Sequence, residues 1–111
     1  MMGLIKPFKV EQTHIDNGIK GNCQKCPVAL AILDLFDRDD KFQFTSEELD
    51  VSIEICGFSI MLSERPYIEY GSLSPGVENF IDGFDWEKEG IVPTEMKLDI
   101  ENGIISLQDE A

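Results

Sequence analysis

The sequence predicts an α+β domain in which two helices pack on one face of a mostly antiparallel sheet, in the order β-α-β-β-β-α-β-β. Three observations lead there: several short runs alternate apolar and polar residues, two segments carry helical apolar spacing, and Asn102-Gly103 marks a late hairpin. At 111 residues with 42% hydrophobic content, the chain fits a single domain spanning residues 1–111 and can bury a core without metal or disulfide support.

Residues 4–12 alternate loosely through Ile5, Phe8 and Val10 and read as an opening strand, with Pro7 favouring a sheet edge because it cannot donate to a ladder. Residues 13–25 are polar, contain Gly18 and Gly21, and read as a loop. Pro27 suits a first helical turn, where its missing N–H is not needed, and leaves Cys26 near the cap. From Val28 to Phe36 only Asp34 is polar, so this helix must lie against a sheet or between layers.

Phe42 and Phe44 suggest a short strand, and Leu49, Val51, Ile53 and Ile55 define one face of the next. Cys56-Gly57 interrupts the alternation before Phe58, Ile60 and Leu62, which favours two strands joined by a turn over one strand with a bulge. Residues 63–75 read as a loop with Pro66 and Pro75. A second helix over about 76–86 follows from Val77, Phe80, Ile81 and Phe84 at i, i+3, i+4 and i+7. Met96, Leu98 and Ile100 alternate in a further strand, and a two-residue type I′ turn at Asn102-Gly103 is expected to return the chain through Ile104 to Leu107.

Charge is distributed unevenly: up to Ser46, six acids balance six bases, whereas from Glu47 onward 16 acids face only Arg65, Lys88 and Lys97. The net charge of −13 therefore belongs to the last 65 residues. Such a field repels nucleic-acid and membrane phosphates and favours a basic partner, although acidic surfaces also serve solubility. Glu78, Asp82, Asp85, Glu87 and Glu89 are the candidate acidic binding face. Among the aromatic residues beside these acids, Tyr67, Tyr70 and Trp86 suit an interface, while Phe84 is expected in the core.

The three cysteines are an odd number, the start lacks the apolar core of a signal peptide, and no run approaches the ~18 apolar residues of a membrane helix. A cytoplasmic protein with free thiols is the expectation.

Several chemistries compete for the stretch from His14 to Cys26. Cys23-x2-Cys26 has the spacing of half a zinc site, which only His14 and Cys56 remain to complete. No second close pair exists, so no cofactor is expected, and zinc is the metal this set would take. A redox dithiol is the next reading, but the helix starts after the second cysteine rather than at the first. The simplest reading makes Cys26 a small buried cap residue and Cys23 a loop thiol.

Gly18, Lys20, Gly21 and Lys25 precede a helix and offer N–H groups and positive charge to an anion or nucleotide, without Walker or dinucleotide spacing. His14 stands without a serine nucleophile motif and reads as a loop residue bonded to backbone or to Asp16, so no catalytic residue is assigned and the chain is expected not to be an enzyme.

Three pieces of the chain occur in order: His14-Ile-Asp-Asn-Gly18 with Cys26-Pro-Val-Ala-Leu-Ala-Ile32, then Val77-Glu-Asn-Phe80-Ile81-Asp-Gly-Phe84-Asp85, then Pro93 leading to Met96 and Leu98. Together they resemble a family of small uncharacterised proteins recurrent in tailed-phage and prophage-bearing bacterial genomes. The resemblance implies a phage accessory protein in the host cytoplasm, acting by binding and not by catalysis. Such proteins inhibit host defence enzymes, mimic nucleic acid with acidic surfaces, or sequester small signals. It brings no site residues. Two expectations follow. In one, the acidic part binds a basic host protein, without direct nucleic-acid or membrane contact and with homodimer formation open through exposed strand edges. In the other, the His14–Cys26 loop binds a small anion, a nucleotide or zinc.

Overall fold

A computed structural model describes residues 5–38, 46–54, 57–62, 66–86 and 91–109. Its class is α+β, with six strands in one mixed sheet and three α-helices. The strands are β1 (Ile5–Val10), β2 (Leu49–Glu54), β3 (Gly57–Leu62), β4 (Pro66–Leu73), β5 (Thr94–Asp99) and β6 (Ile104–Leu107). The helices are α1 (Gln12–Asn17), α2 (Pro27–Arg38) and α3 (Pro75–Asp85), and a 3₁₀ turn at Ser46–Glu48 leads into β2. The sheet order is β1-β5-β6-β4-β3-β2; neighbours run antiparallel except the short β4–β6 pair, Ser72↔Ile104 and Leu73↔Ile105.

Two departures from the sequence expectation matter for the site. First, the stretch expected as a loop over 13–25 begins with α1, so the described residues hold three helices rather than two. This six-residue helix has no apolar stripe of its own to announce it; it is fixed by His14, described below. Second, the stretch expected as a loop over 63–75 contains β4, whose only buried side chain is Ile68. Because β4 shows water most of its residues, it lacks the alternation by which strands are recognised. The order is therefore β-α-α-β-β-β-α-β-β. The strand expected at Phe42 and Phe44 lies outside the described residues, as do Ile55 and Cys56.

Other elements fall where chemistry placed them. Pro7 sits in edge strand β1. β2 and β3 form the expected hairpin, with Glu54 opposite Gly57. The turn at Asn102-Gly103 is longer than expected: Asp99 pairs with Ile104, leaving four residues between, and Gly103 takes the left-handed region at φ 67°. Asp99 supplies the reason, because its two carboxylate oxygens accept from the Asn102 backbone N–H at 3.0 Å and side-chain amide at 2.8 Å, while its carbonyl accepts from Gly103 N–H at 2.8 Å. Bonding to Asn102 holds the Asp99 carboxyl below the usual carboxylate range.

The strands bury their apolar side chains on a shared core, β4 through Ile68 alone. Phe8 faces Met96, Leu98 faces Ile105, Val51 faces Ile60, and Ile60 faces Ile68, and these join one core with α2 and α3. Helix α2 touches β1 and β2, the two opposite edges of the sheet, so the sheet curls around it. That position explains why α2 is apolar nearly all round: Val28, Ala29, Ala31, Ile32 and Phe36 are all buried. The Tyr67 ring meets Phe36 edge-on, 6.0 Å between centroids, and carries the contact on to β4. At the β3–β4 pairing Phe58 lies opposite Gly71, and a Cβ on Gly71 would stand 2.2 Å from the Phe58 ring, so glycine is required there.

Candidate functional site

The loop after α1 is built as one clamp of the site and α3 as the other. Within the loop, Ile19 N–H donates to the Lys25 carbonyl at 2.8 Å, Asn22 N–H to the Ile19 carbonyl at 3.2 Å, and Gln24 N–H to the Asn22 side-chain oxygen at 3.0 Å. Gly21 turns the chain with φ 70°. Its ends are anchored by packing: a Cβ on Gly18 would lie 2.9 Å from Pro27 and 3.0 Å from Phe84, so the bare backbone fits between the start of α2 and the end of α3. The Cys23 carbonyl accepts from Ile53 N–H at 2.8 Å and ties the loop to edge strand β2. Gly21 N–H donates to Asp85 at 3.1 Å and ties it to α3.

Helix α3 starts sharply because the Ser74 hydroxyl accepts from Val77 N–H at 3.3 Å and Pro75 occupies the first turn. The phase set there buries Val77, Phe80, Ile81 and Phe84, as their spacing predicts. It also puts Glu78, Asp82 and Asp85 at i, i+4 and i+7 on one stripe, the first two exposed and Asp85 half-buried, with Trp86 at the end. Trp86 is 74% exposed.

Between this stripe and the loop runs a groove of about 740 Å³, floored by Leu73 and Ile81 and edged by Glu54, Glu78, Asp82, Asp85, Lys20 and Trp86. It adjoins a second hollow of about 430 Å³ toward Asn22, Cys23, Cys26 and Ile53; Gly21, Glu54, Ile81 and Asp85 line both. Among the described residues, four carboxylates against one ammonium make the larger groove acidic over an apolar floor.

The residues singled out in the sequence are distributed as follows. Glu78, Asp82 and Asp85 share the groove, while Glu87 and Glu89 lie outside the described residues. Lys20 and Gly21 line the same groove; the N–H that Gly21 would offer an anion is taken by Asp85, and Gly18 is packed against Pro27 and Phe84. Lys25 is exposed. Cys23 and Cys26 line the adjoining hollow, Cys23 exposed and Cys26 buried, both as free thiols. The Cys26 sulfur caps α2 by accepting from Ala29 N–H at 3.5 Å. Burial outweighs those helix-end amides and pushes the Cys26 thiol up from 9.0 to about 11. Cys56 lies outside the described residues, and among the described residues no three His, Cys, Asp or Glu side chains are placed to hold a metal.

His14 is elsewhere. It is 6% exposed, its Nδ1 accepts from Glu11 N–H at 2.9 Å, and its Nε2 meets Asp34 of α2 at 2.6 Å. The expected bond to Asp16 is corrected here: Gln12 binds Asp16 at 3.0 Å, one exposed turn away, whereas His14 points inward. Because Nδ1 accepts a backbone proton, the neutral ring carries its proton on Nε2 and donates it to Asp34. Both ring nitrogens are thus engaged in fixing α1 against α2. Arg38 flanks the pair, 3.8 Å from Asp34 and 3.5 Å from Glu11.

Sequence reasoning missed Asp34 as the partner of His14, and Glu54 and Leu73 as groove residues. Glu54 could have been placed from the outward phase of β2, whereas Leu73 belongs to the strand that was not recognised.

Fold and site together define a small α+β protein that presents an apolar-floored, acid-rimmed groove between a clamped loop and a helix. No protein-family model matches the chain, and no curated protein or solved structure does so either. Among the described residues no helix is long and apolar enough to cross a membrane.

Proposed function

We propose that this chain is a non-enzymatic binding protein whose acidic face docks on a basic host protein. The observation that carries the reading is the groove: Glu54, Glu78, Asp82 and Asp85 converge on an apolar floor beside exposed Trp86. A solubilising surface needs only scattered charge, whereas this arrangement offers apolar area and a directed field at one place. The resemblance to phage and prophage proteins supports a setting in the bacterial cytoplasm, with a nucleic-acid-handling or defence enzyme as the target and inhibition by occupation of its basic surface as the consequence. His14, the one histidine, has both nitrogens bonded, which favours binding over acid-base catalysis.

The alternative, an anion or nucleotide in the loop, is disfavoured by the internal carboxylate of Asp85 at Gly21 N–H. The test is capture from bacterial lysate at about 50 and 500 mM salt, followed by reconstitution with the purified partner. A basic partner held at low salt and released at high salt is expected. Recovery only of neutral or acidic proteins, equally at both salts, contradicts the reading.

A further inference from the structure

We infer that the groove between α3 and the Lys20–Cys26 loop takes an arginine side chain from a basic segment of the partner, with its guanidinium laid on Trp86. This rests on the binding reading above and names what the groove recognises.

The groove poses a specific chemical requirement. Its floor, Leu73 and Ile81, is apolar, and its volume of about 740 Å³ admits a side chain together with flanking backbone. Around that floor stand Glu54 on β2 and Glu78, Asp82 and Asp85 on α3, with Lys20 the one cation among the described lining residues. A ligand must therefore combine an aliphatic stem with a terminal cation, as arginine and lysine do. Trp86 discriminates between them. Its indole is 74% exposed at the groove rim, and a flat guanidinium stacks on such a face while its remaining N–H groups reach carboxylates in the ring plane. A compact ammonium is more strongly hydrated and lacks the plane.

The site is also held ready. Gly21 N–H to Asp85 and Ile53 N–H to the Cys23 carbonyl fix the loop wall to both α3 and β2. Binding then orders mainly the incoming segment.

Trp86 is the only tryptophan, so its emission reports the site directly. The full chain is titrated with a nonapeptide of alternating arginine and glycine, and with lysine and glutamate counterparts, with peptide anisotropy as a second readout. The arginine peptide is expected to shift Trp86 emission saturably and to bind about fivefold or more tighter than the lysine peptide, with no response to glutamate. Trp86→Ala, an exposed truncation that leaves the core intact, is expected to weaken binding by about tenfold in anisotropy. Glu78→Gln with Asp82→Asn is expected to lose a similar factor, and Asp85 is left in place because it anchors Gly21. Equal affinity of Trp86→Ala and the parent chain, or of lysine and arginine peptides, overturns the inference. If Trp86→Ala binds the captured partner as tightly as the parent chain does, the acidic-face reading stands and the arginine site falls; if the parent chain captures nothing basic, both fall.

Discussion

The His14–Asp34 contact joins α1 to α2, the two helices that flank the loop, and its removal has a calculable cost. His14→Ala deletes the acceptor of the Glu11 N–H and the partner of the Asp34 carboxylate. A buried N–H left without an acceptor costs about 1–3 kcal/mol, less for the part-buried Glu11 N–H, and a hydrogen bond to a charged group contributes about 1.5–3 kcal/mol. Asp34 is half-exposed and regains water, which places the total near the lower part of the sum, about 3 kcal/mol. For a domain of this size about 4 °C accompanies each kcal/mol, so a fall of about 12 °C in Tm is expected.

Thermal and urea unfolding followed by far-UV circular dichroism measure it. Asp34→Asn is the control: its amide oxygen still accepts from Nε2–H, so only the charge-assisted part is lost, about 1 kcal/mol. A Tm drop below about 2 °C for His14→Ala, or an equal cost for the two variants, refutes the reasoning.

Further outcomes follow from the same contacts. Gly71→Ala, which sets a Cβ 2.2 Å from the Phe58 ring, is expected to destabilise by about 1–3 kcal/mol, and Phe58→Leu in the same chain to recover part of it, read by urea denaturation. Cys23 is expected to react with iodoacetamide at pH 8 while Cys26, neutral and buried with its thiol pushed up to about 11, is protected until unfolding. The raised Cys26 value also fixes a sign: the folded state keeps the proton that the unfolded chain releases. Stability is therefore full below about pH 9 and falls by about 3 kcal/mol as pH rises through 11, a loss that Cys26→Ser removes. Asp99 runs the other way. With its carboxyl held low by Asn102, its contribution is present above the ordinary carboxylate range and is lost as pH falls through its folded value, so Asp99→Asn should flatten the acid limb of stability.

Elements governed by local chemistry were legible in the sequence. Pro27 after Cys26 marks the start of α2, and the spacing of Val77, Phe80, Ile81 and Phe84 gives α3 its buried face, because caps and amphipathic stripes are written in neighbouring residues. What depends on distant partners was not legible. α1 is short and polar and is held by a residue 20 positions away, Asp34. β4 pairs with β3 and β6 yet buries little, so its backbone hydrogen bonds leave no trace in side-chain pattern. Likewise, Glu78, Asp82 and Asp85 could be placed on one stripe from spacing alone, while their meeting with Glu54 and Leu73 required the path of β2 and β4.

Binding of a basic partner through the groove's carboxylates is tested most directly by isothermal titration of the captured, purified partner, at rising salt, with the parent chain and with Glu78→Gln/Asp82→Asn. An affinity that falls steeply with salt is expected for the parent chain, and a weaker, flatter dependence for the variant. Identical affinities and identical salt slopes for the two proteins rule out binding through these carboxylates.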